Sequence, residues 1–258
     1  MEHAHVKTPI HTPQGRHGSS PAAEFDQFAV GYSAGMDNPI KKMVGDNPDI
    51  FIEVKARWLL ANLAQHTASA QLAVVPQRLL DFGCGAGLFL QVLRRLGFAG
   101  VLHGCDISSG MLAEAVRTWS EGAVPVLEPF VNGKLPYADA TFDVVLASAV
   151  LHHIAPGQRE ASYTEMARVL KSGGLCYVFE HNPYNPVTRW VVARTPMDRH
   201  AILLFNRAVR AGLAAAGIRH IQVENLMFFP PKWRWAQPLE QALRWLPCGG
   251  QYVAFGEK

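Results

Sequence analysis

Long apolar runs are missing from this chain. No stretch approaches the ~18 consecutive apolar residues that suggest a membrane-spanning helix, and the N-terminus has no apolar stretch of the kind a secretory leader needs, so neither is expected. Cysteine is scarce: there are four in 258 residues, and none lies in a C-x-x-C pair. That spacing of Cys84, Cys105, Cys176 and Cys248 indicates neither a disulfide framework nor a zinc site, and points to a reduced, cytoplasmic setting. An excess of one charge is missing too. Lys and Arg total 24 against 21 Asp and Glu, they are dispersed, and the net charge is +3. No basic stripe marks a nucleic-acid partner. Internal repeats are absent as well.

Pro, Gly, Ser, Thr and His concentrate in residues 1–22, which are read as a disordered tail. Its histidines, His3, His5, His11 and His17, are taken as solvated, and no metal is expected. With 49% hydrophobic residues, the remainder is expected to form one domain over 23–258. A helical cap is placed over 23–70, where Phe51, Val54, Trp58, Leu59 and Leu63 recur at helical spacing. Strand and helix patterns then alternate. Strands are predicted at about 78–82, 101–107, 124–131, 142–149 and 175–180. Helices are predicted near 88–96, from Ser108/Ser109 toward Trp119, and over 159–170 with a stop at Gly173–Gly174. This alternation implies a doubly wound α/β architecture around a parallel sheet. Beyond a lid over 182–205, a helix is predicted at about 202–216, a strand at 220–229, a short helix near Pro238 and a last strand at 251–255.

The richest segment is Leu79-Leu80-Asp81-Phe82-Gly83-Cys84-Gly85-Ala86-Gly87. An apolar strand ends in an acid and enters a Gly-rich turn before a helix, whose free N–H groups can meet a ligand. A nicotinamide dinucleotide is one candidate, but its G-x-G-x-x-G/A fingerprint needs a small residue where Leu88 stands. Asp81 would also repel a pyrophosphate, whereas it would attract a ligand carrying an ammonium and a sulfonium. The charge argument therefore favours S-adenosylmethionine (SAM) over NAD. Asp106, at the end of the second strand, is placed to accept ribose hydroxyls of either cofactor.

With these residues in view, the chain resembles the class I SAM-dependent methyltransferase superfamily, in the small-molecule group related to the ubiquinone and menaquinone biosynthesis methyltransferases. The resemblance runs through Leu79–Gly87, Cys105–Ser108 with Met111–Leu112, Leu135–Asp139 with Thr141–Val145, Val150–Ile154, and Val169–Gly174. It implies a seven-stranded Rossmann-like sheet with an antiparallel last strand. It implies SAM as cofactor, S-adenosylhomocysteine as product, and Asp81, Gly83, Gly85 and Gly87 around the methionine part, with Cys84 and Ala147 also among the cofactor-binding residues. Asp106 would hold the ribose, Ile107 and Met111 would flank the adenine, and Asn132 would meet its amino group.

Two strand ends carry the remaining chemistry. The fourth strand leads to His152 and His153, and the fifth to Glu180, His181, Asn182 and Tyr184. If the methyl acceptor is a hydroxyl or an acidic carbon, a base is needed, and His153, His181 and Glu180 are the candidates. Tyr32, Trp58, His152, Asn182, Tyr184 and Arg189 are candidates for holding the acceptor. The run Asn182-Pro183-Tyr184-Asn185-Pro186 resembles the Asn-Pro-Pro-Tyr signature of DNA adenine methyltransferases. It follows the fifth strand instead of the fourth and is read as a turn into the lid. The expected activity is methyl transfer to an O or C nucleophile of a small molecule such as an anionic isoprenoid, sugar or secondary-metabolite precursor. An RNA or protein methyltransferase is the alternative, and a NAD-dependent dehydrogenase a weaker one. No nucleic-acid or membrane partner is expected, and a homodimer stays open.

Overall fold

The computed structural model describes residues 21–30, 32, 49–68, 76–131 and 133–258. The expected tail lies outside these except for its last two residues, and Asn132 lies outside them as well. In chain order the described elements begin with α1 (Pro21–Ala29), α2 (Ile50–Ala68), β1 (Arg78–Phe82), α3 (Leu88–Arg95), β2 (Val101–Asp106) and α4 (Ser109–Thr118). They continue with β3 (Val126–Pro129), β4 (Phe142–Ser148), α5 (Arg159–Val169), β5 (Leu170–His181) and α6 (Pro186–Val192). The last four are α7 (Asn206–Ala215), β6 (Arg219–Leu226), α8 (Gln237–Leu243) and β7 (Gln251–Glu257). No helix among the described residues is long and apolar enough to cross a membrane.

The seven strands form one sheet in the order β3-β2-β1-β4-β5-β7-β6. The first five are parallel, and β7 runs antiparallel between β5 and β6. Strand pleating sends alternate side chains to opposite faces. Leu79, Val144, Leu146, Tyr177 and Val253 meet one apolar layer with α2 and α3. Leu80, Val145, Ala147, Val178 and Ala254 meet the other with α5 and α7. Both faces are covered, which is why the central strands read as near-continuous apolar runs.

The strand expected at 220–229 is Arg219–Leu226, and three other boundaries shift for physical reasons. β3 is shorter than predicted because Pro125 and Pro129 bracket it on the sheet's edge, where a missing N–H ends the ladder. Gly173–Gly174 do not cap a helix. α5 ends at Val169 and its next residue, Leu170, is already extended. The two glycines instead lie in an irregularity of β5, where pairing jumps from Phe142↔Leu170 to Val144↔Leu175. The helix expected from Ile202 starts at Asn206, because Ile202 N–H is committed to the carbonyl of His152 (2.8 Å).

The chain before and after the sheet core returns to its carboxyl edge. α1, α2 and the segments after β5 and β6 wall a cavity of about 1520 Å³ above the parallel strand ends, where open α/β sheets bind ligands.

Candidate active site

One half of the cavity is built by the Gly-rich turn. Gly83 has φ +73, and a Cβ there would fall 2.6 Å from both methyls of Val150. Gly87 adopts the left-handed conformation as the N-cap of α3. The backbone therefore folds tightly enough to present Gly83, Cys84 and Gly85 to the cavity. Asp81 is buried, and its Oδ1 has no hydrogen-bond partner. Burial pushes its carboxyl up to about 8, against the pull of the Lys55 cation. An orphaned buried carboxylate oxygen is costly unless a donor reaches it, and an ammonium is such a donor. Asp106 is anchored differently. Its Oδ2 accepts from Gly85 N–H (2.8 Å) and its Oδ1 from Ser108 N–H (2.9 Å). Each oxygen keeps a second acceptor position, which suits the two hydroxyls of a ribose. The residues present therefore fit SAM.

The other half is built at the ends of β4 and β5. After β4, Ala149 takes φ 59 and a 3₁₀ turn, Leu151–His153, turns the chain. His152 is buried, with Nδ1 2.5 Å from Glu180 Oε2. Glu180 Oε1 accepts from Leu151 N–H at 2.8 Å. A second 3₁₀ turn, Pro196–Asp198, brings Asp198 Oδ1 within 3.6 Å of His152 Nε2 and 3.4 Å of His153 Nε2. Burial alone would depress His152, but Glu180 and Asp198 together outweigh it and raise it to about 9. Burial would raise Glu180, and His152 reverses the shift to below the usual range. Burial and the neighbouring His152 push His181 down to about 4, against a weaker upward pull from Asp198 and Glu180, so it is neutral at pH 7. Between the two halves, Lys55 Nζ donates to Ser148 Oγ (2.7 Å) and lies over the Phe89 ring. Burial lowers this amine to about 8.

A methyltransferase-domain family model matches residues 80–178. A ubiquinone biosynthesis O-methyltransferase of Ruegeria sp. (strain TM1040) is 30% identical over 173 residues, covering 62% of this chain and 67% of that protein. The chain belongs to the SAM-dependent methyltransferase family. A malonyl-[acyl-carrier protein] O-methyltransferase of Herminiimonas arsenicoxydans is 31% identical over 172 residues, covering 64% of this chain and 63% of that protein. The chain thus spans less than two thirds of that relative's own length. A solved SAM-dependent methyltransferase from Thermotoga maritima, described as a possible histamine N-methyltransferase, superposes with TM-score 0.60. It is 17% identical and covers 93% of this chain and 100% of that one, a likeness of fold. The family assignment sets the dehydrogenase reading aside, and the family's cofactor is SAM.

Within this family member, Gly83, Cys84, Gly85, Asp106, Ile107 and Met111 line the cavity with Tyr32. Asp81, Gly87 and Ala147, also expected around the cofactor, are buried and do not line the cavity. Of the three base candidates, His153 and His181 face the cavity. Glu180 does not, because its carboxylate is spent on His152 and the Leu151 amide; it acts on the site only through His152. Five acceptor candidates fall elsewhere. His152 is buried behind His153, its ring held by Glu180, and does not line the cavity. Trp58 is a core residue, edge-on to Tyr177, Phe179 and Phe255, with its indole N–H on Glu224 (2.8 Å). Asn182 is buried and donates to the Pro247 and Gly249 carbonyls, which locks the turn after β5. Tyr184 is exposed against Phe205, and Arg189 is exposed on α6.

Three charged side chains that the sequence reading passed over are central. Lys55 carried a signal, since it sits between Phe51 and Leu59 at steps of four on the buried stripe of α2. Asp26 on α1 accepts from Ser108 Oγ (2.6 Å) and Gly110 N–H (3.0 Å), docking the cap on α4. Asp198 carried no local signal; only the folded chain brings it to the histidines.

Proposed function

We propose that this chain transfers the methyl group of SAM to an oxygen or carbon nucleophile of a small molecule. The acceptor is a bulky, largely apolar metabolite with an ionisable oxygen. The supporting observation is one shared cavity. The Gly-rich turn in front of the orphaned Asp81 carboxylate and the His153, His181 and Asp198 side chains open on the same space, walled by Phe25, Phe51, Phe228, Phe229 and Trp190. Its volume of about 1520 Å³ exceeds what one small ligand fills.

Bound SAM supplies an electrophilic methyl on a sulfonium. The chain's own groups do the rest. Asp81 holds the ammonium and Asp106 the ribose. The aromatic walls exclude water and orient the acceptor toward the methyl. His153 and His181 hold the acceptor's nucleophilic atom, and the neutral His181 receives its proton. Lys55 is the cation that an anionic acceptor would meet. Two relatives are O-methyltransferases by name, which favours oxygen. The free, buried thiols of Cys84, Cys105 and Cys176 suit a reducing cytoplasm.

The test is incubation of the protein with methyl-labelled SAM and a cell extract divided by size. The reading expects label in the low-molecular-weight fraction. Label confined to RNA or protein would replace the acceptor class.

A further inference from the structure

His152 is held in an unusual way. Its ring is fully buried, Nδ1 is fixed by Glu180, and Nε2 makes no hydrogen bond. That unpartnered nitrogen is aimed at Asp198 Oδ1, 3.6 Å away, and His153 Nε2 approaches the same oxygen at 3.4 Å. Both separations exceed the ~2.7–3.2 Å of a good N–H···O bond. They match a different geometry. Ligand atoms about 2.0–2.2 Å from a tetrahedral ion lie about 3.3–3.6 Å from one another. All three donor atoms fall within 4.8 Å of one another.

The surroundings carry the same signature. A metal-ligating histidine usually gives its other ring nitrogen to a carboxylate that fixes tautomer and orientation, and Glu180 does this for His152. The ligand turns are tied together, since Asp198 N–H donates to Thr195 (3.0 Å) and Ile202 N–H to the His152 carbonyl (2.8 Å). The two carboxylate–imidazole separations already match such a site, and the third pair lies within 4.8 Å. His153 and Asp198 face the cavity, so a remaining coordination position would open toward the acceptor, as in catalytic metal sites.

We propose that His152, His153 and Asp198 bind one divalent transition-metal ion, with Glu180 orienting His152 from behind. Two imidazoles and one carboxylate suit zinc, manganese or iron(II) better than magnesium or calcium. The role of the ion rests on the methyl-transfer reading above. It takes up the acceptor's oxygen and lowers the pKa of that hydroxyl. The hydroxyl proton passes to His181 and on to water, and an oxygen electron pair forms the new C–O bond. The methyl–sulfur bond breaks with its pair on sulfur, leaving S-adenosylhomocysteine, and the ion's charge is unchanged.

The experiment uses the full chain, stripped with a chelator and titrated with Zn²⁺, Mn²⁺ and, as an absorbing probe, Co²⁺. Asp198→Asn and Glu180→Gln are titrated in parallel, and SAM binding is measured on every sample as a check of folding. Subtracting the Asp198→Asn signal removes any uptake by His3, His5, His11 and His17, which lie outside the described residues. The expected result is one ion per chain that Asp198→Asn abolishes, weakened about 10–100-fold by Glu180→Gln, with the Co²⁺ visible bands of a nitrogen–oxygen site. No saturable difference between wild type and Asp198→Asn, with SAM still bound by both, overturns the proposal. If the ion binds but no small molecule is methylated, the site stands and the methyl-transfer reading falls.

Discussion

Asp81 is a carboxylate kept in reserve. Its buried Oδ1 has no donor, and burial holds the group near 8, so much of it is protonated at pH 7. SAM's ammonium needs the ionised form. Affinity for SAM should therefore rise with pH up to about 8, close to tenfold per unit on the acid side, and then level; calorimetric titration from pH 6 to 9 measures it. Stability runs the opposite way. The folded pKa lies above the unfolded value, so the fold loses stability as pH climbs from about 4 to 8. Asp81→Asn should melt higher than wild type at pH 8, by about 1–3 kcal/mol of unfolding free energy, while losing SAM. Lys55 sets the midpoint, because its charge pulls Asp81 down. Lys55→Met should move the affinity profile to higher pH and weaken SAM at pH 7. An unmoved midpoint would separate the two groups. At this scale Asp81 and Asp106 were readable because a carboxylate beside a Gly-rich turn is a local pattern. Asp198 was not, because its meaning lies in two turns distant in sequence.

The element that aims the histidines is the 3₁₀ turn after β4, and it is held from β5 through Glu180. Glu180→Leu leaves a buried imidazole and the Leu151 N–H without a partner. The expected cost is about 3–5 kcal/mol in urea unfolding, the range for a broken buried ion pair. α6 shows a smaller effect. Asn185 Oδ1 caps it by accepting from Val187 and Thr188 N–H (2.9 and 3.1 Å), and Asn185→Ala should cost about 1 kcal/mol. The parallel strands β1, β2 and β4 were readable because burial on both faces leaves continuous apolar runs. The α5–β5 junction was misread. A glycine pair after a helical stretch suits a helix stop as well as a strand irregularity, and only pairing with β4 decides between them. Trp58 lay on the expected helix, but helical spacing cannot distinguish core from cavity.

At the scale of the whole molecule, the two halves of the site come from different parts of the chain. On the proposed reading, β1 to β3 and their turns would make the cofactor side of the cavity, and α2, α6 and residues 227–233, which also line it, the acceptor side. Phe228→Ala should raise the acceptor's KM several-fold and leave SAM affinity unchanged, as two separate binding titrations would record. The order of strands also has a consequence in time. β6 pairs only with β7, and β7 is the strand that joins it to β5. Until β7 docks, β6 has no seat in the sheet, while β1 to β5 can already zip through their nearer neighbours. Refolding is therefore expected in two kinetic stages, an early one that SAM accelerates or traps and a late one that it does not. The molecule would learn to hold its methyl donor before it acquires the wall that chooses where the methyl goes.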